Sequence, residues 1–395
     1  MAGSGRYVER SSVPDFGRSG GRRPRAERYR AFIPAAIGAD EPALGSATSA
    51  LAERASTAVR ELNADISGVV SLEGMGRQLL RSEALASSQI EGLGISHRKL
   101  AEADLSDREG RGAADILGAI RAMGRAMALG GEALLIDVET VTLLHAELAT
   151  VPPLDRIAGR LREEASWIGG STPATAEYVG PPHEEVEPLL TDLCEFMNRD
   201  DIPPIPQAAI AHAQFETIHP FGDGNGRVGR CLIHVLFRRR GLAPRYVPPI
   251  SLVLGSNKDA YVAGLEGYRE GRLEQWVDYF SRAVEVAAAK SRDFSLSVAA
   301  LQADWRERVR PIRRDSAVLP LIDLLPGYPV ITAAVAEEEI ERSRPATLNG
   351  LIRLAEAGIL KRHRNQKCGD RWEARELFTL LKRFEDAARL PAGLS

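Results

Sequence analysis

The reactive side chains of this chain crowd into one stretch, His219-Pro220-Phe221-Gly222-Asp223-Gly224-Asn225-Gly226-Arg227-Val228-Gly229-Arg230. An imidazole, a carboxylate, three glycines close to an asparagine and two arginines fall within twelve residues. That inventory suits the phosphates of a nucleotide. Glycines let the backbone turn tightly and bring N–H groups towards an anion. Arginines supply forked, permanently charged donors for phosphate oxygens. Asp223 is a hard oxygen ligand of the kind Mg²⁺ prefers. His219 carries the side chain whose ordinary pKa suits proton abstraction near neutral pH.

The elements that must hold these groups are legible on either side. Pro206–Ile218 is helical in pattern, with Ile210, Ala211, Gln214, Phe215 and Ile218 at 3–4 spacing. Pro220 and the glycines break that helix. A second helix starts near Gly226 and stops before Gly241 and Pro244. The Gly-Asn-Gly segment therefore lies at a helix N-terminus, where free N–H groups and the helix dipole attract an anion. Arg227 and Arg230 are three apart and share a face. A bare Asp-Gly-Asn-Gly run would read as a surface turn, but His-Pro-Phe before it and Arg-x-x-Arg after it argue for a phosphate site. Phe221 reads equally well as a core residue or a site residue, and Pro220 as turn chemistry alone.

The stretch resembles the H-P-F-x-[D/E]-G-N-G-R-x-x-R motif of the Fic (filamentation induced by cAMP) family at every fixed position. The resemblance extends to His145 in VETVTLLHAEL, the Gly-Arg-Leu-Arg run at 159–162 and the segment Glu163–Pro182, and it covers about residues 30–385. Its implied fold is mainly α, a Fic helical bundle with a short β-hairpin flap. Glu163–Pro182 fits that flap, with a strand-like start, turn residues and a proline end. The implied activity is protein adenylyltransferase: AMP moves from ATP to a Ser, Thr or Tyr hydroxyl of a target protein, or of the chain itself.

The resemblance also implies roles. His219 would deprotonate the attacking hydroxyl. Phe221 would plug and fix the loop. Asp223 would hold Mg²⁺ on the phosphates. Backbone N–H groups of Gly224, Asn225 and Gly226 would cradle phosphate oxygens, helped by the Asn225 side chain, and Arg227 and Arg230 would take the β- and γ-phosphates. Nucleotidyl transfer needs such positioning and charge neutralisation more than covalent chemistry. A kinase-like branch of the family has alanine and lysine where this chain has Gly224 and Gly226, so both glycines favour nucleotidyl transfer. Phosphocholine transferases share a similar motif, so the motif alone does not fix the donor. Tyr261 falls where relatives often set an aromatic near the nucleobase; its other reading is a core tyrosine. The adenine-contacting asparagine that often follows is not evident, and Arg269 falls near its place.

Upstream, Ser87-Ser88-Gln89-Ile90-Glu91-Gly92 fits the family's inhibitory pattern [S/T]-x-x-x-E-[G/N], at the end of an amphipathic helix stopped by Gly92. The resemblance implies that Glu91, four residues after Ser87, pairs with Arg230 and occupies the γ-phosphate site. A carboxylate there also repels a polyanion. The other reading of Glu91 is an ordinary surface residue. Family members of this type can also use the glutamate to remove AMP.

Composition sets the outer bounds. A 395-residue chain should hold two or three domains, and 27% charged residues with a net charge of −3 point to neither nucleic acid nor membrane. Cys194, Cys231 and Cys368 are far apart and form no C-x-x-C pair, against a disulfide framework or zinc site. No apolar run reaches the ~18 residues of a spanning helix, and no secretory signal is evident, so a cytoplasmic protein is expected. Residues 1–28, with Arg6, Arg10, Arg18, Arg22, Arg23, Arg25 and Arg28, read as a disordered basic arm. Residues 29–112 read as an N-terminal helical module holding the inhibitory helix, and 113–290 as the catalytic core. No 34-residue helical repeat is visible.

Residues 304–385 resemble a winged helix. Ala317–Leu325 is a first helix, Thr332–Glu341 and Ala346–Ala357 form a helix-turn-helix, and a wing runs through HRNQKCGD before Arg371-Trp372-Glu373. From Glu341 to Glu373, eight basic residues stand against four acidic ones, a net of +4. That leaves an alternative function open, a DNA-binding regulator whose Fic centre senses nucleotide; winged helices also dock proteins or dimerise. A homodimer is common in similar proteins. The sequence names neither the target protein nor the acceptor residue.

Overall fold

The computed structural model describes residues 2–12, 26–64, 72–105, 111–132, 135–313, 316–364 and 369–388. The chain runs β1 (Gly5–Ser12), β2 (Glu27–Pro34), α1 (Ser46–Asn63), α2 (Leu72–Ile90), α3 (His97–Ala103), α4 (Arg111–Gly131) and α5 (Val138–Leu148). It continues through β3 (Trp167–Ile168), β4 (Tyr178–Val179), α6 (His183–Met197), α7 (Pro204–Ile218), α8 (Asn225–Arg239), α9 (Ile250–Ser256), α10 (Lys258–Arg269) and α11 (Leu273–Arg308). It ends with α12 (Val318–Leu324), β5 (Val330–Thr332), α13 (Ala333–Glu339), α14 (Arg344–Glu356), β6 (Lys361–His363), β7 (Arg371–Glu373) and α15 (Arg375–Ala387). The architecture is thus mainly α. No helix among the described residues is long and apolar enough to cross a membrane.

Two compact units form, and the division falls inside α1, α4 and α11. The first holds residues 1–54, 121–242 and 258–282. Its axis is α7, buried on every side from Ile205 to Ile218. Alanines line much of the helix between its larger apolar residues, as expected of a helix at the centre of a bundle. The polar residues of α7 are buried but engaged. Gln207 donates to the Phe196 and Arg199 carbonyls at 3.0 and 2.8 Å and accepts from Arg240 at 2.7 Å. Gln214 donates to the Ala35 carbonyl and accepts from the Tyr268 hydroxyl, both at 2.9 Å. Gly229 lets α8 press against α7, since a Cβ there would lie 2.6 Å from Glu216 Oε1 and 2.9 Å from Phe215 Cδ1.

One expectation is corrected here. Residues 5–12, assigned by composition to a disordered basic arm, form β1, an antiparallel partner of β2 from Gly5↔Pro34 to Ser12↔Glu27. Average composition hides the cross-strand pairing that stabilises the ladder. The Tyr7 and Phe32 rings meet edge to face at 5.2 Å, and the Arg30 guanidinium lies 4.3 Å over the Tyr7 ring. The rest of that arm, residues 13–25, lies outside the described residues.

The second unit holds residues 55–120, 243–257 and 283–395. Leu85 of α2, Leu100 of α3 and Ile116 and Leu117 of α4 share an apolar cluster. Glu83, fully buried on α2, accepts from the Ser251 backbone N–H at 2.8 Å and from its hydroxyl at 2.6 Å, fixing the first turn of α9. Towards the C-terminus, β5, β7 and β6 form an antiparallel sheet in that order. Its helices α12, α13 and α14 follow the expected helical segments closely. Strand β5 was not anticipated, because Val330-Ile331-Thr332 is too short to show an alternation. Cys368 and residues 365–367 of the anticipated wing lie outside the described residues.

Candidate active site

The motif occupies the turn from α7 to α8. His219 is the C-cap of α7 in the left-handed region, φ 51° and ψ 62°, and its N–H donates to the Phe215 carbonyl at 2.8 Å. Its imidazole Nδ1 lies 3.3 Å from the Glu216 carbonyl oxygen. Gly224, also left-handed at φ 81°, is the N-cap of α8. A Cβ at Gly224 would sit 3.0 Å from Leu148 and 3.5 Å from the His145 ring. Asp223 is exposed, and its Oδ1 accepts from the Gly224 N–H at 2.5 Å. Arg227 and Arg230 are both buried on α8.

Asn225 and Phe221 both hold the loop. The Asn225 amide closes the loop rather than reaching outward: Oδ1 accepts from Phe221 N–H and Nδ2 donates to the Phe221 carbonyl, both at 2.8 Å. The planar amide thereby bonds both backbone groups of Phe221. Phe221 has no exposed surface, so it supports the loop from beneath and has no face for a nucleotide. Its ring stacks on His145 with centroids 3.9 Å apart and planes 4° from parallel.

His145 was visible in the sequence only as a recurring position. It is fully buried on α5, below the loop. The Gly159 N–H donates to its Nδ1 at 3.0 Å, so the ring proton sits on Nε2, which donates to the Asp223 carbonyl at 3.0 Å. Burial lowers its pKa, the bond to the Asp223 carbonyl opposes that shift and the Arg227 charge adds to it, consistent with a neutral ring. The helix beneath is fixed by a capping box in which Asp137 and Thr140 exchange hydrogen bonds.

Tyr261 is an interior residue, 4% exposed, with its hydroxyl 2.8 Å from His212 Nε2. Its ring stacks near His212 at 6.0 Å and lies 6.3 Å from Trp276. Of its two readings, core tyrosine is the one this packing supports. Burial, reinforced by the nearby Arg230 charge, pushes the His212 pKa down to about 3. A neutral imidazole can accept the tyrosine proton. Arg269, at the place where an adenine contact was sought, lies 4.1 Å over the Tyr178 ring.

The expected flap is an antiparallel pair, Trp167↔Val179 and Ile168↔Tyr178. Its strand β3 exposes Trp167 and Ile168, while Tyr178 and Val179 of β4 are buried. The Tyr178 hydroxyl donates to the Thr217 carbonyl at 2.5 Å, tying β4 to the end of α7. Ser87 and Glu91 belong to the second unit, apart in the chain from the motif's unit. Ser87 is buried, and Glu91 is exposed at the C-terminal end of α2.

A helical bundle that presents a left-handed histidine, an anion-ready helix N-terminus and a short flap matches a known domain class. Residues 135–237 match the Fic/DOC family, and residues 49–128 match the N-terminal region of that family. The second match lies directly ahead of the first in the chain. It is similar to protein adenylyltransferase fic-1 of Caenorhabditis elegans, 31% identical over 156 residues, which are 38% of this chain and 28% of the relative. A probable protein adenylyltransferase of Aquifex aeolicus is 32% identical over 99 residues, 25% of this chain and 28% of the relative. The chain thus spans less than a third of the length of these curated relatives. Among solved structures, a Fic family protein from Desulfovibrio desulfuricans G20 aligns with a TM-score of 0.50 at 19% identity, over 84% of this chain and 97% of that one. A Fic domain containing signaling protein from Bacteroides thetaiotaomicron gives 0.51 at 15% identity, over 63% and 97%. These two similarities speak to fold alone.

Proposed function

We propose that this chain is a protein adenylyltransferase that uses ATP to modify a hydroxyl side chain. The observation that carries the proposal is the pairing, across one short loop, of His219 at the end of α7 with the N-terminus of α8, which begins at left-handed Gly224 without a side-chain cap. With its proton on Nδ1, directed at the Glu216 carbonyl, His219 offers the Nε2 lone pair as a base. The acceptor oxygen attacks the α-phosphorus, an O–P bond forms, the bond to the β-phosphate oxygen breaks, and pyrophosphate leaves. The hydroxyl proton passes to Nε2. The first-turn N–H groups of α8 and the charges of Arg227 and Arg230 stabilise the polyphosphate.

No group of three or more His, Cys, Asp or Glu side chains suited to a metal ion occurs among the described residues. Asp223 alone fits Mg²⁺ that arrives with a nucleotide, because that ion commonly takes one or two carboxylates plus substrate phosphates. Such an ion would neutralise phosphate charge. Glu91 is proposed to restrain transfer, and the C-terminal elements are proposed to form a winged-helix module. The names of the curated relatives favour the transferase reading over a DNA-binding regulator.

The test is intact mass after incubation with ATP and Mg²⁺, for the wild type, Glu91→Gly and the double variant Glu91→Gly, His219→Ala. A gain of one AMP, largest in Glu91→Gly and lost without His219, is the expected result. The absence of any gain in all three, with candidate target proteins also supplied, would sink the ATP reading.

A further inference from the structure

Arg162 is 8% exposed, and it meets backbone carbonyls from both ends of the flap and from the end of α7. Its Nε donates to the His219 carbonyl at 2.8 Å. Its Nη1 donates to the Glu164 carbonyl at 2.7 Å, where the flap begins. Its Nη2 donates to the Pro181 carbonyl at 2.6 Å, where the flap ends, and to the Ile218 carbonyl at 3.3 Å. The Arg162 N–H donates to the Pro220 carbonyl at 2.9 Å. None of these partners is a carboxylate. A rigid fork of five N–H donors suits such a set, and a compact ammonium does not. Two of the acceptors are terminal carbonyls of α7, the negative end of that helix.

The consequences converge on His219. A non-glycine residue in the left-handed region carries an intrinsic cost of about 1–2 kcal/mol. That conformation persists only where its surroundings over-determine it. The Arg162 bond to the His219 carbonyl is one such constraint. The same guanidinium fixes where the flap leaves and rejoins the bundle, and the flap closes further through Gly180 N–H to the Ser166 carbonyl at 2.9 Å. The Tyr178 hydroxyl on Thr217 adds a second, independent tie.

We propose that Arg162 is a positioning residue that couples the flap to the backbone of His219, so that the flap and the imidazole are held in one fixed register. The role in transfer rests on the adenylyltransferase reading; the coupling itself does not. The test uses full-length Arg162→Lys and Arg162→Met beside the wild type, each also with Glu91→Gly. Hydrogen exchange followed by mass spectrometry reads the coupling without any substrate. Removing charge-assisted bonds should speed exchange about ten- to a hundredfold in peptides spanning the flap and the end of α7, with peptides from α6 and the middle of α8 unchanged. Arg162→Lys, which keeps the charge but not the fork, should fall between. In the transfer assay, kcat should drop at least tenfold while KM for ATP moves little, because the α8 cradle is untouched. Flap and α7 exchange equal to wild type in both variants would overturn the coupling. Acceleration spread through the whole chain would overturn it as well, showing a general structural role. Normal kcat with a loosened flap would overturn the role in transfer. If the wild-type enzyme and Glu91→Gly do not transfer AMP, the adenylyltransferase reading fails while the exchange result still decides the coupling.

Discussion

At the scale of single residues, the site is held by neutral imidazoles and committed amides as much as by charges. His212 is the clearest case, a fully buried ring bonded to the Tyr261 hydroxyl, with its pKa pushed down to about 3. An unfolded histidine titrates near 6.5. Between those values the unfolded chain binds a proton that the folded chain refuses, so stability falls as pH falls. The stabilising contribution is complete above about pH 6.5 and is lost as pH drops through the folded pKa, at up to about 1.4 kcal/mol per pH unit. A His212→Gln variant, which keeps a polar group near Tyr261 but does not titrate, should show a shallower loss of stability between pH 6 and pH 4 (the accessible part of that window) than the wild type. Urea midpoints at each pH would measure it, and parallel curves for the two proteins would contradict the assignment.

At the scale of elements, legibility followed the physics of each signal. The α7–α8 pair was readable because glycine and proline punctuate it and because its chemistry is local. The flap was implied by the family resemblance, and the strand-like start, turn residues and proline end of Glu163–Pro182 agreed with it. The bonds of the Asn225 amide to the Phe221 backbone and the stacking of Phe221 on His145 were not readable, because both are fixed by tertiary packing. The role of Arg162 was hidden for the same reason: its partners lie at residues 164, 181, 218 and 219, and carbonyl oxygens carry no sequence signature. The end of α2 is a case where the sequence sufficed. Gly92 sits at φ 79°, its N–H donates to the Gln89 carbonyl at 3.0 Å, and the Leu93 N–H reaches the Ser88 carbonyl at 2.9 Å. That is the paired arrangement of a glycine-terminated helix, with Glu91 as the last half-helical residue. Gly92→Ala leaves open space around the new methyl but costs about 1 kcal/mol in a left-handed conformation. The expected outcome is a frayed last turn, faster exchange of the Leu93 amide, and basal AMP transfer raised several-fold towards the Glu91→Gly level. Unchanged basal transfer beside a frayed turn would separate Glu91 from the restraint.

At the scale of the whole chain, the C-terminal elements do more than follow the Fic/DOC-like region in sequence. Within the second unit they grip the helices that lead to and from Glu91. Arg77 of α2 donates to the Tyr328 hydroxyl at 2.9 Å and stacks over its ring at 4.2 Å. His97 of α3 lies 2.6 Å from Glu385 of α15. Arg98 pairs at 2.5 Å with Glu373 of β7, a carboxylate only 3% exposed, and lies 5.4 Å over the Phe378 ring. Glu373 also lies 2.8 Å from His363 Nε2, and separating Arg98 from so buried a carboxylate is penalised, so that pair resists separation. Together the contacts of Arg77, His97 and Arg98 bracket α2 at its first turns and again just after Glu91. Helix α2, whose end carries the glutamate proposed to restrain transfer, is therefore held by the C-terminal elements as well as by its own packing on α9. Replacing Tyr328 by Phe and Glu385 by Gln in the full chain removes two polar ties and leaves the apolar contacts and the Arg98–Glu373 pair in place. Basal transfer should rise a few-fold, and the increase should vanish when Glu91→Gly is already present, because both changes act through one element. An increase that multiplies with Glu91→Gly would mean that the C-terminal elements act on transfer by another route. No increase in the otherwise wild-type chain would confine them to stability, read as a lower melting temperature alone.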